Sequence, residues 1–128
     1  MLVRIPEHPT PNQVLVVVSG DASVREMLDF IVESRGGGLR RCAFLFDVSA
    51  ATISASGDEM RQLAMYAARE SRQEPMGAVA IISTDPETFG MGRMYQAYSV
   101  AEGRRNVGVF RSVSEAQTWL AALPGCAH

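Results

Sequence analysis

Arg41 to Ala67 reads RCAFLFDVSAATISASGDEMRQLAMYA, and its three successive textures decide the fold. Cys42 to Phe46 is an unbroken apolar run with two aromatics, closed off by Arg41 on one side and Asp47 on the other. A short apolar run without alternation suits a strand covered on both faces, as in a parallel sheet. Val48 to Ala55 is small or hydroxylated and carries no helical stripe, so it reads as a loop. Asp47 then stands at the carboxyl end of a strand, where open α/β sheets place their ligand crevices. Ser56 and Glu59 follow, three apart, just ahead of Met60, Leu63, Ala64 and Ala67. That pattern is a capping box opening an amphipathic helix.

Outward from this stretch the same grammar repeats. Leu2 to Ile5 alternates and suits an edge strand, and Pro6, Pro9, Pro11 and Asn12 form a turn. Val14 to Val18 is a buried strand that could pair antiparallel with the first, broken by Ser19-Gly20-Asp21. Ser23 and Glu26 cap a helix with Val24, Met27, Leu28 and Ile31 inward, and Gly36-Gly37-Gly38 stops it. After the central helix, fading between Arg72 and Pro75, Ala78 to Ile82 gives another strand. Asp85 and Pro86 start a third helix that runs to Ala101 with Gly90, Met94, Ala97 and Ala101 on one side. Asn106 to Phe110 is the last strand. Ser112 and Glu115 cap a final helix with the stripe Ala116, Trp119, Leu120 and Leu123, stopped by Pro124-Gly125.

The order ββαβαβαβα predicts one α/β domain over residues 1–128: a mixed, mostly parallel sheet of about five strands with about four helices. A chain of 128 residues, 47% hydrophobic and 20% charged, can bury its own core without metal or disulfide. The formal charge of -2 leaves no broad basic surface for nucleic acid. All twelve basic residues are arginine, which removes Schiff-base chemistry and a phosphate-loop lysine. Arg104-Arg105 reads as a solvated turn. No apolar run reaches the ~18 residues that cross a bilayer, and no signal segment opens the chain. Two cysteines, Cys42 and Cys126, read as a reduced pair in the cytoplasm. Cys126 and His128 fall short of a metal site, His8 sits in the proline-rich turn, and no cofactor is expected.

The residues that carry a resemblance are the strand ending Asp47-Val48-Ser49 with a serine at the following helix start. To these add Phe89-Gly90-Met91-Gly92-Arg93-Met94-Tyr95, Val107-Gly108-Val109-Phe110-Arg111, Glu115-Ala116 and Trp119-Leu120. Together they resemble the STAS superfamily, typified by bacterial anti-sigma-factor antagonists, and within it the SpoIIAA-like group, which is also similar in fold to lipid-transfer domains of the CRAL-TRIO type. In antagonists the strand-end aspartate leads to a loop ending Asp-Ser-Ser-Gly, whose first serine accepts phosphate. Here Ala55 stands at that second aspartate, Ser56 at the phosphorylated serine and Gly57 at the second serine.

The site expectations follow. Ser56 is a helix cap and, by the resemblance, a phosphoacceptor, since phosphate at a helix start meets free amides and a favourable dipole. Asp47, Ser49, Thr52 and Ser54 form a switch loop, with Asp47 bonded to loop amides rather than acting as a base. Gly90 and Gly92 each cost a helix about 1 kcal/mol, offset by close packing or by a ligand near Arg93. Arg93 is either a surface ion pair or a ligand anchor. The expected role is a non-enzymatic interaction module that presents the Ser49–Ser56 loop and its helix to a protein partner. The alternative is a small-molecule or lipid carrier with an apolar pocket near Phe89, Met91, Met94 and Tyr95. A closed core favours the first and an apolar cavity of several hundred Å³ the second, that being the size of ordinary ligand pockets (about 300–1,000 Å³). Tyr95, Tyr98 and Met91 look like more apolar surface than one helix face can bury, which motivates a homodimer.

Overall fold

The computed structural model describes residues 1–5, 12–34 and 41–123. The elements run β1 (Leu2–Arg4), β2 (Gln13–Ser23), α1 (Val24–Ser34), β3 (Ala43–Ser54), α2 (Gly57–Gln73), β4 (Val79–Ile82), α3 (Pro86–Ala101), β5 (Val107–Phe110) and α4 (Val113–Ala122). This is the expected α/β class and order. The expected turn at Pro6, Pro9 and Pro11, the Gly36–Gly38 stop, the Pro124-Gly125 stop and the residues His8, Cys126 and His128 lie outside the described residues.

The strands lie side by side in sequence order, β1-β2-β3-β4-β5, with β1 antiparallel to β2 and the rest parallel. Right-handed crossovers between sequential neighbours all fall on one face of a sheet. Accordingly α1, α2 and α3 share one face, where Val16, Phe44, Phe46, Val79 and Ile81 point. The other face carries Leu45, Ala80 and Ile82 and packs on Ala116 and Leu120 of α4.

Two strands outrun their sequence signals. β2 continues through Ser19-Gly20-Asp21 to Ser23, with Gly20 at φ 76. β3 continues through the segment expected to be a loop, pairing Ala50–Ser54 with Ser19–Ser23. The register steps from Val17↔Asp47 to Ser19↔Ala50, so β3 has one extra residue, a bulge at Val48–Ser49. A bulge shifts the alternation. Phe44 and Phe46 precede it on the helix-covered face, Val48 within it keeps that face, and Ala51 and Ile53 return to it afterwards. Ala50, Thr52 and Ser54 are left exposed. The segment looked unpatterned because small residues blur an alternation that the backbone nevertheless obeys.

The helix starts form as their spacing requires. Ser56 Oγ accepts from the Glu59 amide at 3.1 Å while Glu59 Oε1 accepts from the Ser56 amide at 2.9 Å. Ser23 and Glu26 make the same reciprocal pair. At α4 the forward half is present, Ser112 Oγ accepting from the Glu115 amide; the Ser112 hydroxyl, rather than its amide, turns to the carboxylate.

The third helix buries a different stripe from the one its residues suggest. Thr88, Gly92, Tyr95 and Ser99 face inward, while Gly90, Ala97 and Ala101 are exposed. Two hydroxyl residues can take core positions because each bond is found locally: Thr88 Oγ1 donates to Asp85 Oδ2, and Ser99 Oγ donates to the Tyr95 carbonyl.

Candidate functional site

Between the sheet and α1, α2 and α3 lies an apolar cavity of about 160 Å³. Its floor includes Val16, Phe44 and Ile81, and its roof includes Met27, Leu63 and Met91. Three of its wall positions are small: Ala67 of α2, Gly77 before β4 and Gly92 of α3. Two of these are fixed by close approach. A Cβ on Gly77 would overlap the Cys42 carbonyl, and one on Gly92 would stand 3.1 Å from Val109 Cγ1 and 3.2 Å from Ile81 Cγ2. The α1 side is the least tightly built. Met27, Leu28, Phe30 and Ile31 are only half-buried there, and Val24 alone is fully covered.

The expected ligand-contact residues divide. Met91, Gly92 and Tyr95 line the cavity. Phe89 does not; it is half-buried under the Arg111 guanidinium, 4.1 Å from the ring centroid. Gly90 is exposed, and a Cβ there would meet nothing within 4 Å, so the close-approach argument belongs to Gly92 alone. Arg93 is exposed on the outer side of α3 and anchors nothing in the cavity. Tyr95 is 7% exposed, and Met91 and Tyr98 pack half-buried against the same cluster. Of the three residues that motivated a homodimer, Tyr95 is buried and Met91 and Tyr98 stay half-exposed.

The expected switch residues sit elsewhere. Asp47 Oδ1 accepts from the Ser49 amide at 3.1 Å, and Ser49 Oγ accepts from the Thr84 amide, also at 3.1 Å, tying the bulge to the end of β4. Thr52 and Ser54 are exposed strand residues turned away from Ala51 and Ile53. Ser56 is exposed at the start of α2. Among the described residues no cluster of three His, Cys, Asp or Glu could hold a metal ion, and no helix is long and apolar enough to cross a membrane.

One site residue escaped the sequence reading. Arg105 is exposed as expected of a solvated turn, but Arg104 is 7% exposed and lines the cavity. The turn after α3 explains it. Gly103, at φ 87, lets its amide donate to the Val100 carbonyl and the Arg104 amide to the Ser99 carbonyl, both at 2.9 Å. This is a Schellman stop, in which the residue after the glycine is turned back toward the helix. An apolar residue usually fills that place; here it is arginine. Gly103 two residues after the last helical alanine was the available signal.

A scan against protein-family models finds no match for this chain, and a search of curated proteins finds none either.

Proposed function

We propose that the protein is a non-enzymatic carrier or sensor that holds a small apolar molecule between its sheet and its three same-face helices. The observation that carries this reading is the cavity itself, about 160 Å³ and lined almost wholly by apolar side chains. Well-packed cores leave few voids larger than a water molecule. Its volume is close to that of a dry engineered cavity of ~150 Å³ that takes benzene. It is smaller than the several hundred Å³ expected for a lipid carrier, so the ligand is smaller than a membrane lipid.

The interaction-module reading retains one support, the exposed Ser56 at the start of α2. The loop that was to accompany it is a paired strand. Placement with the SpoIIAA-like STAS proteins, a cytoplasmic setting and a protein partner responsive to ligand are parts of the same proposal.

Native mass spectrometry of the purified protein tests it, together with thermal shifts in 1-octanol, indole and benzene. The expected result is a co-purified small molecule or a raised Tm with at least one of these compounds. Protein that carries nothing and gains no stability from any of them overturns the carrier reading.

A further inference from the structure

We infer that Arg104, with the Tyr95 hydroxyl, is a buried receptor for the carboxylate of an anionic apolar ligand, the body of which fills the cavity. The inference rests on the carrier reading above and names the ligand class.

The guanidinium of Arg104 makes a single side-chain hydrogen bond among the described residues, from Nη1 to Tyr95 Oη at 3.2 Å. Its Nε is buried without any acceptor. No carboxylate among the described residues lies within ion-pair distance of it. Glu102, two positions away, is engaged by Arg72 of α2, which reaches its carboxylate at 3.9 Å and its carbonyl at 3.0 Å. The fold thus buries a cation that has no carboxylate partner among the described residues, while the acid two positions before it is engaged by another arginine. An unpaired buried charge is strongly destabilising, and folded proteins do not ordinarily leave one beside an apolar void.

A ligand carboxylate resolves both anomalies together. Arginine presents adjacent N–H groups in a planar fork that matches the two oxygens of a carboxylate. With Nη1 committed to Tyr95, the Nε side of that fork is the part left without a partner. The Tyr95 hydroxyl, accepting from Nη1, keeps its own proton to donate to the same anion. Both residues line the cavity and both are 7% exposed. Arg104 lies at the end of the cavity where β3, β4 and β5 begin, near Cys42 and Gly77. Val48, Ile53 and Thr88 line the opposite end. Thr88 already donates its hydroxyl to Asp85, so it makes no second polar pole. One charged end and an apolar remainder describe an aliphatic monocarboxylate with a body of roughly six to seven carbons, since a cavity of ~150 Å³ takes the six carbons of benzene.

The experiment compares octanoate with 1-octanol by isothermal titration calorimetry at neutral pH, on the full chain and on Arg104→Met and Arg104→Lys. Methionine keeps the apolar stem and removes the charge, so the variant is expected to fold with unchanged or raised Tm. Wild type is expected to bind octanoate roughly ten- to hundredfold more tightly than 1-octanol, the usual worth of a charge-assisted hydrogen bond. Arg104→Met should lose that preference while still binding 1-octanol, and Arg104→Lys should keep part of it. If 1-octanol binds and octanoate does not, or if Arg104→Met leaves the preference intact, the headgroup assignment is wrong and the cavity reading stands. If neither compound binds wild type, the headgroup inference falls, while the carrier reading is decided by the co-purified molecule, indole and benzene. A circular-dichroism melt that shows Arg104→Met unfolded passes the decision to Arg104→Lys and to Tyr95→Phe. Tyr95→Phe removes one donor and should weaken octanoate more than 1-octanol; equal effects on the two would overturn the inference.

Discussion

Ala67→Leu separates a real cavity from a packed core by the sign of a single measurement. Ala67 is 1% exposed, in the middle of α2, and lines the void. Leucine adds three carbons there, and each buried CH₂ contributes about 0.8 kcal/mol, so the transfer gain is at most ~2.4 kcal/mol. Fixing the new rotamers takes back about 0.5–1 kcal/mol. A void that accepts the side chain therefore yields a net gain of roughly 1.5 kcal/mol, about 6 °C in Tm for a domain of this size. A core without room gives the opposite: overpacking costs about 1–3 kcal/mol. Urea melts with an unchanged slope and a higher midpoint are the expected outcome, together with weaker 1-octanol binding because the leucine occupies the ligand's volume. A lower midpoint at constant slope, with 1-octanol binding undiminished, would show that the space is not where the structure puts it.

Gly90→Ala should raise stability by about 1 kcal/mol, since the position is exposed helix with open space beyond it, whereas Gly92→Leu should lower it by about 1–3 kcal/mol against Val109 and Ile81; chemical denaturation of the two variants reads the contrast. Ser56→Ala removes the capping oxygen and should cost about 1 kcal/mol, while Ser56→Asp keeps a cap and should hold stability. Phosphopeptide mapping from native cells then asks whether Ser56 is modified at all, and an unmodified serine removes the phosphoacceptor proposal. Asp85 is held below its ordinary value of 3.8, chiefly by the Thr88 amide and then by the Thr88 hydroxyl. A carboxylate depressed in the folded state lends stability that is complete above its unfolded pKa and lost as pH falls through the folded one. Asp85→Asn should therefore flatten the acid limb of stability below about pH 3.8 and leave the neutral region with a plain capping amide; an unchanged acid limb would deny the cap this role.

Ser56-Glu59 and Asp85-Pro86 marked their helix starts correctly because the groups that satisfy a first turn lie within three or four residues of one another. The buried strands at Phe44–Phe46 and Val79–Ile82 were legible for a similar reason, as short apolar runs bounded by polar or turn residues. Their alternation with helices was enough to give the α/β order and the mostly parallel sheet. The polar half of β3 was not legible. Ala50–Ser54 becomes a strand because Ser19–Ser23 runs beside it, thirty residues away in the chain, and neither segment carries enough apolar contrast to announce the pairing. The inward stripe of α3 was misread toward Gly90 because Thr88 and Ser99 look like surface residues until their hydroxyls are seen to be bonded within the helix.

Arg104 and the cavity belong wholly to the tertiary structure. Sequence shows Arg104 and Arg105 as equals, and a left-handed glycine turn sends one to solvent and the other beneath α3. Likewise Ala67, Gly77 and Gly92 are three unrelated small residues until α2, the approach to β4, and α3 converge over one patch of sheet. Capping and strand formation are closed locally, within a turn or a run. Empty volume, and a buried charge without a carboxylate partner among the described residues, depend on how distant segments come together.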